Sequence, residues 1–335
     1  MDAFLPLLWF ALFCLSLLFF VLLAGADLGI GILSLVANES RRSTMLAAIG
    51  PLRYANETWL VIAGAILFAA FPIAYGVILS ALYIPAMMLI FGLILRAVSI
   101  ELRGHSIRKR PWDIAFGSAS ALTALSQGLL LGGILGEPRI VDGAFADGPW
   151  NWLNTTSIAI ALAVAAGYTL FGAARLVEKT RSEAHSRERR LVQASAVAAF
   201  VFFIAAAALW ALGRRPTPSM HAEPARLLVA ALFLLAGLAG FIMILRASRE
   251  RAGDRTPIAW SVVMLLGAAG AALATTFPYL VPYSLTIRQA ASPRMTLIVM
   301  LFGVGFVLPI VIAYNLYTRS VFRGRTSAGE AENNY

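Results

Sequence analysis

Nine long runs of apolar residues limit the folds open to this chain more than any other feature of its sequence. A bilayer core is crossed by roughly 20 helical residues that rise about 1.5 Å each. The runs cover residues 5–24, 59–75, 77–95, 114–135, 158–174, 194–212, 227–245, 258–277 and 295–314. Because backbone groups in lipid must pair within their own segment, the runs predict nine membrane-spanning helices. Only Gly76 separates the second run from the third, which predicts a tight hairpin there.

Charged residues are few and unevenly placed along the chain. They make up 13% of the sequence, about half the share in a soluble domain, which excludes a water-soluble globular fold. If the N-terminus lies outside, 20 of the 27 Lys and Arg residues fall in inner loops and 6 in outer loops. Since basic residues favour short cytoplasmic loops, we predict that the N-terminus is outside and the C-terminus inside. The net charge of +10 then reflects topology and contact with anionic lipid, and nucleic acid is not a predicted partner.

The predicted organisation is a single transmembrane domain over residues 1–335, with a flexible polar tail at 325–335.

Residues that bind metals or haem are scarce in this sequence. The one cysteine, Cys14, cannot form an internal disulfide or a multi-cysteine metal site. The histidines His105, His185 and His221 all fall between runs, whereas a haem inside a bundle takes its axial ligands from the spans. We therefore predict no haem ligand and no metal site in this chain.

Ionisable residues within membrane spans are strong indicators of function. Asp27 follows the first run and lies among Gly25, Gly29 and Gly31, which allow close approach of another helix. Two interpretations are open. The carboxylate is solvated at the interface, or it is buried and faces a polar route or a cofactor pocket.

Two further polar groups flank the second and third runs. Asn56 and Glu57 precede Trp59, and they either cap the helix or form a buried pair that lines a route for protons or a small molecule. Arg96 ends the third run. It either extends to the interface or forms a structural ion pair. Its candidate partners are Asp27 and Glu101, and Arg103 belongs to the same charged group.

These groups together resemble subunit II of the cytochrome bd quinol oxidases. The closer resemblance is to the cyanide-insensitive branch, whose members are of similar length. The resemblance is dense over residues 20–103 and returns after the eighth run. The middle of the chain is similar only in span count and loop length. The matching segments are residues 25–31, 49–51, 56–60, 67–72, 75, 96, 101–103, 277–282, 285–287 and 290–292.

The resemblance implies an all-α membrane protein with nine transmembrane helices, arranged as two four-helix bundles plus one peripheral helix. It also implies a heterodimer in the bacterial inner membrane with a subunit I that carries haem b and haem d and oxidises quinol. Subunit II would stabilise subunit I and shape the access of protons and oxygen. A bound quinone or phospholipid and small single-span subunits are further candidates for partners within the lipid bilayer.

Carried over by position, the resemblance makes Asp27, Asn56, Glu57 and Trp59 candidates for proton and oxygen access. Three acids of the family pattern are replaced in this chain, by Ala24, Tyr54 and Gln289. Tyr54 could still hold a water molecule through its hydroxyl. A proton route would therefore depend on Asp27 and Glu57, whereas an apolar oxygen path beside Trp59 needs only packing defects.

Two other functions stay open at the level of sequence. A multi-span transporter or permease would need several polar groups at the membrane midplane, often on broken helices. The predicted midplane is nearly bare, and Gln127 is a rare exception. A purely structural membrane scaffold is the second alternative.

Overall fold

The computed structural model describes residues 4–49, 53–136, 138, 140–141, 144–179, 185–213, 224–249 and 255–321, which are almost entirely helical. Its helices are α1 Phe4–Ser34, α2 Glu39–Ile49, α3 Arg53–Ala70, α4 Pro72–His105, α5 Lys109–Leu135, α6 Thr155–Lys179, α7 His185–Gly213, α8 Pro224–Arg249, α9 Thr256–Thr276, α10 Ile287–Ala290 and α11 Arg294–Val321. Two short antiparallel hairpins pair β1 Ile140–Val141 with β2 Ala144–Phe145, and β3 Tyr279–Val281 with β4 Leu285–Thr286.

Within these ranges, eight helices are long and apolar enough to cross a membrane, namely α1, α4, α5, α6, α7, α8, α9 and α11. The apolar part of α3, Asn56–Ala70, is shorter. The predicted all-α membrane fold is therefore confirmed. The ninth span and the division into two four-helix bundles plus one helix stay predictions, and the predicted tail at 325–335 lies outside the described residues.

The break between α3 and α4 lies at Phe71, whose backbone has φ −134° and ψ 58°. Pro72 causes it, because proline has no amide hydrogen and disfavours the helical conformation in the preceding residue. The predicted boundary at Gly76 is wrong, since Gly76 lies within α4. Pro72 is accommodated because it occupies the first turn of α4, where its missing hydrogen bond costs little.

The segment after the second hairpin fastens this break. Ser292 donates its amide to the carbonyl of Ala70 and its hydroxyl to the carbonyl of Ala69, both at 2.8 Å. These carbonyls need partners because α3 ends beside them. Just before this segment, Gln289 and Thr286 form a capping box at the start of α10. Gln289, one of the predicted acid replacements, therefore has a local structural role.

Close helix approach at the glycines of α1 is confirmed. A Cβ atom on Gly29 would overlap the carbonyl oxygen of Tyr168 in α6, and one on Gly172 would overlap the backbone of α1 at Gly29. A Cβ atom on Gly25 would lie 2.7 Å from the Tyr168 ring. Helix α1 thus packs backbone to backbone against α6, and it also packs against α3 and α5.

The short helix α2 lies at one end of this bundle. Helices α1 and α4 finish there, and α3 and α5 begin there, so we call it the α2 end. Met45, Leu46 and Ile49 bury one face of α2 in a core cluster that includes Leu176 and Val177 of α6. Since α2 connects α1 to α3, this anchorage fixes where the polar residues of α3 begin.

Candidate functional site

Asp27 lies inside α1 rather than at its end, because the helix continues to Ser34. The residue is 8% exposed, so the carboxylate is buried and the solvated interpretation is wrong. Its Oδ2 accepts a hydrogen bond of 3.0 Å from Nδ2 of Asn56, which also donates to the carbonyl of Leu23 at 3.2 Å. One amide of α3 therefore ties together two groups of α1.

Arg96 is paired with Glu57. Its Nη1 lies 2.9 Å from Oε1 of Glu57, and its Cζ lies 5.2 Å from the centroid of the Phe116 ring, within range of a cation–π interaction. The predicted partnership of Arg96 with Glu101 is wrong, because five residues along a helix place a side chain on a different face. Glu101 is exposed. Arg96 is only 1% exposed, so a charge deep in α4 is neutralised by a charge from α3.

Asn56 and Glu57 are neighbours in α3, so the two contacts form one group. We call Asp27, Asn56, Glu57 and Arg96 the polar cluster. It is held by α1, α3 and α4, and all its members lie within helices of the apolar bundle. Tyr54 lies in the same helix, but its side chain is outside the described part of the chain. Four of the predicted candidates thus converge, whereas Glu101 is exposed and Arg103 and Trp59 have other partners.

Trp59 lies one helical turn beyond Asn56. Its ring centroid is 4.6 Å from that of Phe19, and it packs with Phe20 and Ala24 in an apolar cluster. The indole Nε1 is buried and has no hydrogen-bond partner among the residues that the structure describes. A buried N–H without a partner is costly, so this donor is suited to a group from outside the chain. The side chains packed around it are apolar.

Arg103 does not pair with Glu101 either. Its Nε lies 2.5 Å from Oδ1 of Asp113 in α5, and its Nη2 donates to Ser43 of α2 at 3.3 Å. Asp113 also lies 3.6 Å from Nη1 of Arg42. Sequence reasoning missed Asp113 because it directly precedes the predicted span that starts at residue 114. Its spacing of three residues from Phe116, on one helix face, is the signal that could have found it.

Possible metal ligands include the His, Cys, Asp and Glu side chains that the structure describes. No group of three or more His, Cys, Asp and Glu residues that could hold a metal ion occurs among them. His105 ends α4 rather than lying in a loop, is exposed, and has its Nδ1 3.1 Å from the carbonyl of Glu101. His185 begins α7, but its side chain is outside the described residues, as is all of His221. The absence of a haem ligand from this chain stays a prediction.

Comparison with known proteins agrees with this arrangement. The family model of cytochrome bd terminal oxidase subunit II matches residues 5–322. Cytochrome bd ubiquinol oxidase subunit 2 of Bacillus subtilis is 28% identical over 96% of this chain and 97% of its own length. Cytochrome bd-I ubiquinol oxidase subunit 2 of Escherichia coli is 26% identical over 97% and 96%, respectively.

The fold is also similar to one in a solved structure, that of bd oxidase from Geobacillus thermodenitrificans. The TM-score is 0.73 at 18% sequence identity, and the match covers 95% of this chain and 98% of the other. The family match extends over nearly the whole chain, and it confirms the resemblance that the polar motifs of the sequence predict. The chain therefore belongs to the family of cytochrome bd terminal oxidase subunit II.

Proposed function

We propose that this chain stabilises a haem-bearing subunit I and holds the polar cluster as a regulator of proton and oxygen access. Family membership makes it a multi-pass inner-membrane subunit of a quinol oxidase complex, which implies a subunit I partner and does not favour the transporter alternative. The observation that carries the proposal is the group of two carboxylates, one amide and one arginine inside apolar spans. Charged groups are costly in lipid and occur there chiefly where they serve ion pathways or cofactors.

The partial exposure of Glu57 supports the α3–α4 face as the surface that binds subunit I. Its side chain is 23% exposed although it lies in a membrane helix. Along the same two helices, α3 and α4 present large exposed apolar side chains, among them Val61, Phe68 and Phe91. A carboxylate that faces lipid is unfavourable, whereas a protein partner can supply polar groups to it. Subunit I therefore covers the α3–α4 face.

In this proposal, the polar cluster holds and transfers protons. Glu57 and Asp27 are the groups that can bind one, Asn56 orients the Asp27 carboxylate, and Arg96 holds the Glu57 carboxylate in place. The haems of subunit I supply the redox chemistry by which dioxygen becomes water. The same proposal assigns the apolar side chains packed around Trp59 to the exclusion of water and to the route of oxygen. The role of this chain is thus to control access to the oxygen site.

The orientation in the membrane is part of the same proposal. Arg41, Arg42 and Arg103 all lie at the α2 end, and the positive-inside rule favours the cytoplasm for that end. The N-terminus is then periplasmic and the C-terminus cytoplasmic. Four points stay predictions: membership of the cyanide-insensitive branch, the haem types, a bound quinone or phospholipid, and the presence of small single-span subunits.

Glu57→Gln in the purified oxidase complex tests the proton role. We expect turnover to fall about tenfold, because the amide can still accept a hydrogen bond from Arg96 but cannot carry a proton. The visible haem spectrum should stay unchanged. Glu101→Gln is the control, since it makes the same chemical change at an exposed site on α4. Unaltered turnover in Glu57→Gln would return this residue to a structural role.

Asp27→Asn separates packing from proton access at the second carboxylate. The amide preserves the size of the side chain and can keep the contact with Asn56. We expect haem content to be retained while turnover falls. The measurement is haem content per complex beside the oxygen consumption rate. Parallel loss of both quantities would assign Asp27 to packing alone.

A further inference from the structure

Helix α4 carries a row of buried polar side chains on one of its faces. Arg96, Ser99 and Arg103 are spaced by three and four residues, the spacing of neighbours on a single helix face. All three are buried, although most of α4 is apolar. The row therefore runs from the α2 end into the polar cluster.

Each arginine of this row is paired with an acid from another helix. Glu57 of α3 pairs with Arg96, and α5 supplies the acid that pairs with Arg103. Asp113 contacts Arg103 at the α2 end, and Phe116 lies beneath Arg96. Two acid–arginine pairs thus occupy two levels, with Glu57–Arg96 about 10 Å deeper than Asp113–Arg103, given a rise of about 1.5 Å over each of seven residues. Arg42 of α2 is the further charged group that faces Asp113, at 3.6 Å.

Hydroxyl groups lie at and between the two levels. Ser99 is buried midway along the row and donates to the carbonyl of Leu95 at 2.5 Å, which leaves its oxygen able to accept a hydrogen bond. Ser43 accepts from Arg103 at the α2 end. The Ser99 hydroxyl between the two levels can therefore accept a hydrogen bond from water.

We propose that this row, with Asp113 as its first acid, is the entrance through which protons from the aqueous phase at the α2 end reach the polar cluster. The inference rests on the proposed role of the cluster in proton access. A proton from water binds the Asp113 carboxylate and passes along water molecules beside Ser99 to the carboxylate of Glu57, and Asp113 regains its negative charge. Arg96 and Arg103 keep their charge throughout and hold the two acids in place.

The chain offers a matched control for Asp113. Glu188 of α7 is also paired with an arginine of α2, since both of its carboxylate oxygens lie 2.8–2.9 Å from Nη2 of Arg41. The side chains of Glu188 and Asp113 are equally buried, at 4% exposure. Glu188 lies on another helix, outside the row. Removing either charge loosens α2, but only Asp113 is placed to carry protons.

The experiment compares Asp113→Asn with Glu188→Gln in the purified oxidase complex. We expect Asp113→Asn to lower turnover about tenfold, which corresponds to a barrier about 1.4 kcal/mol higher, with an unchanged haem spectrum. Glu188→Gln should leave turnover within about twofold of the original. Unchanged turnover in Asp113→Asn would overturn the proposal. Equal losses of turnover in both variants, in proportion to their losses of thermal stability, would overturn it as well.

If the Asp113→Asn complex does not assemble, Ser99→Ala tests the proposed entrance instead. This substitution leaves every ion pair intact. Its turnover should fall about threefold at unchanged thermal stability, the size expected from one neutral hydrogen bond, and no fall would contradict the entrance. If Glu57→Gln lowers turnover while Asp113→Asn and Ser99→Ala do not, the cluster keeps its role and the entrance lies elsewhere. If Glu57→Gln has no effect, the proposed function and this inference both fail.

Discussion

Gly29→Ala is expected to prevent assembly of the complex, or to lower its stability by about 3 kcal/mol or more. The added methyl group would overlap the carbonyl oxygen of Tyr168, and backbone cannot move aside as a flexible side chain can. Separation of α1 from α6 would also displace Asp27, two residues away. The measurement is the yield of haem-loaded complex, with the midpoint of its thermal unfolding.

Gly167→Ala is the matched control for this prediction. Gly167 lies in α6, and a Cβ atom there would have no neighbour within 4 Å. Because alanine favours a helix over glycine by about 1 kcal/mol, this variant should be neutral or slightly more stable. A Gly29→Ala complex that assembles with an unchanged midpoint would show that the close approach of α1 and α6 is not required.

Arg96→Gln is expected to destabilise the complex by about 3 kcal/mol, because removing one partner of a buried ion pair leaves the other charge uncompensated. The charge left behind is that of Glu57, on a membrane helix. The stacking of the guanidinium on Phe116 is lost as well. Haem content and the midpoint of thermal unfolding of the purified complex would both fall.

A double-mutant cycle with Glu57→Gln measures the coupling. The double variant should be more stable than Arg96→Gln alone, because it no longer contains an unpaired carboxylate. Arg255→Gln serves as the control. Arg255 pairs with Glu178 at 3.4 Å, but its side chain is 87% exposed, and such surface pairs contribute about 0–1 kcal/mol. Equal stability of Arg96→Gln and the original complex would contradict a structural role for the pair.

The helix boundaries show how far local sequence signals reach. Apolar length predicted the helices because the requirement of lipid for internal hydrogen bonding acts on each segment separately. Pro72 was the signal for the break between α3 and α4, because its effect on the preceding residue is local. Gly76 was the wrong choice, because glycine inside a membrane helix is tolerated where nothing crowds it, and a Cβ atom there would have no neighbour within 4 Å.

The pairing of charges shows where such signals stop. Arg96 could be recognised as a buried charge, yet its partner stands 39 residues away in sequence, and Asp27 meets Asn56 across 29 residues. The choice among Asp27, Glu57 and Glu101 depends on how α1, α3 and α4 are rotated and how far each is shifted along its axis. Those quantities are set by packing, for example by Phe116 beneath Arg96.

The sequence by itself determined that this chain is a lipid-embedded helical protein with few acids and with the motifs of its oxidase family, because hydropathy and motif order are properties of contiguous residues. The tertiary structure alone decided that Asp27, Asn56, Glu57 and Arg96 form one cluster and that Asp113 belongs to the row leading to it. The physical reason is that a buried charge takes the partner that helix packing brings within reach, and that partner is rarely its neighbour in sequence.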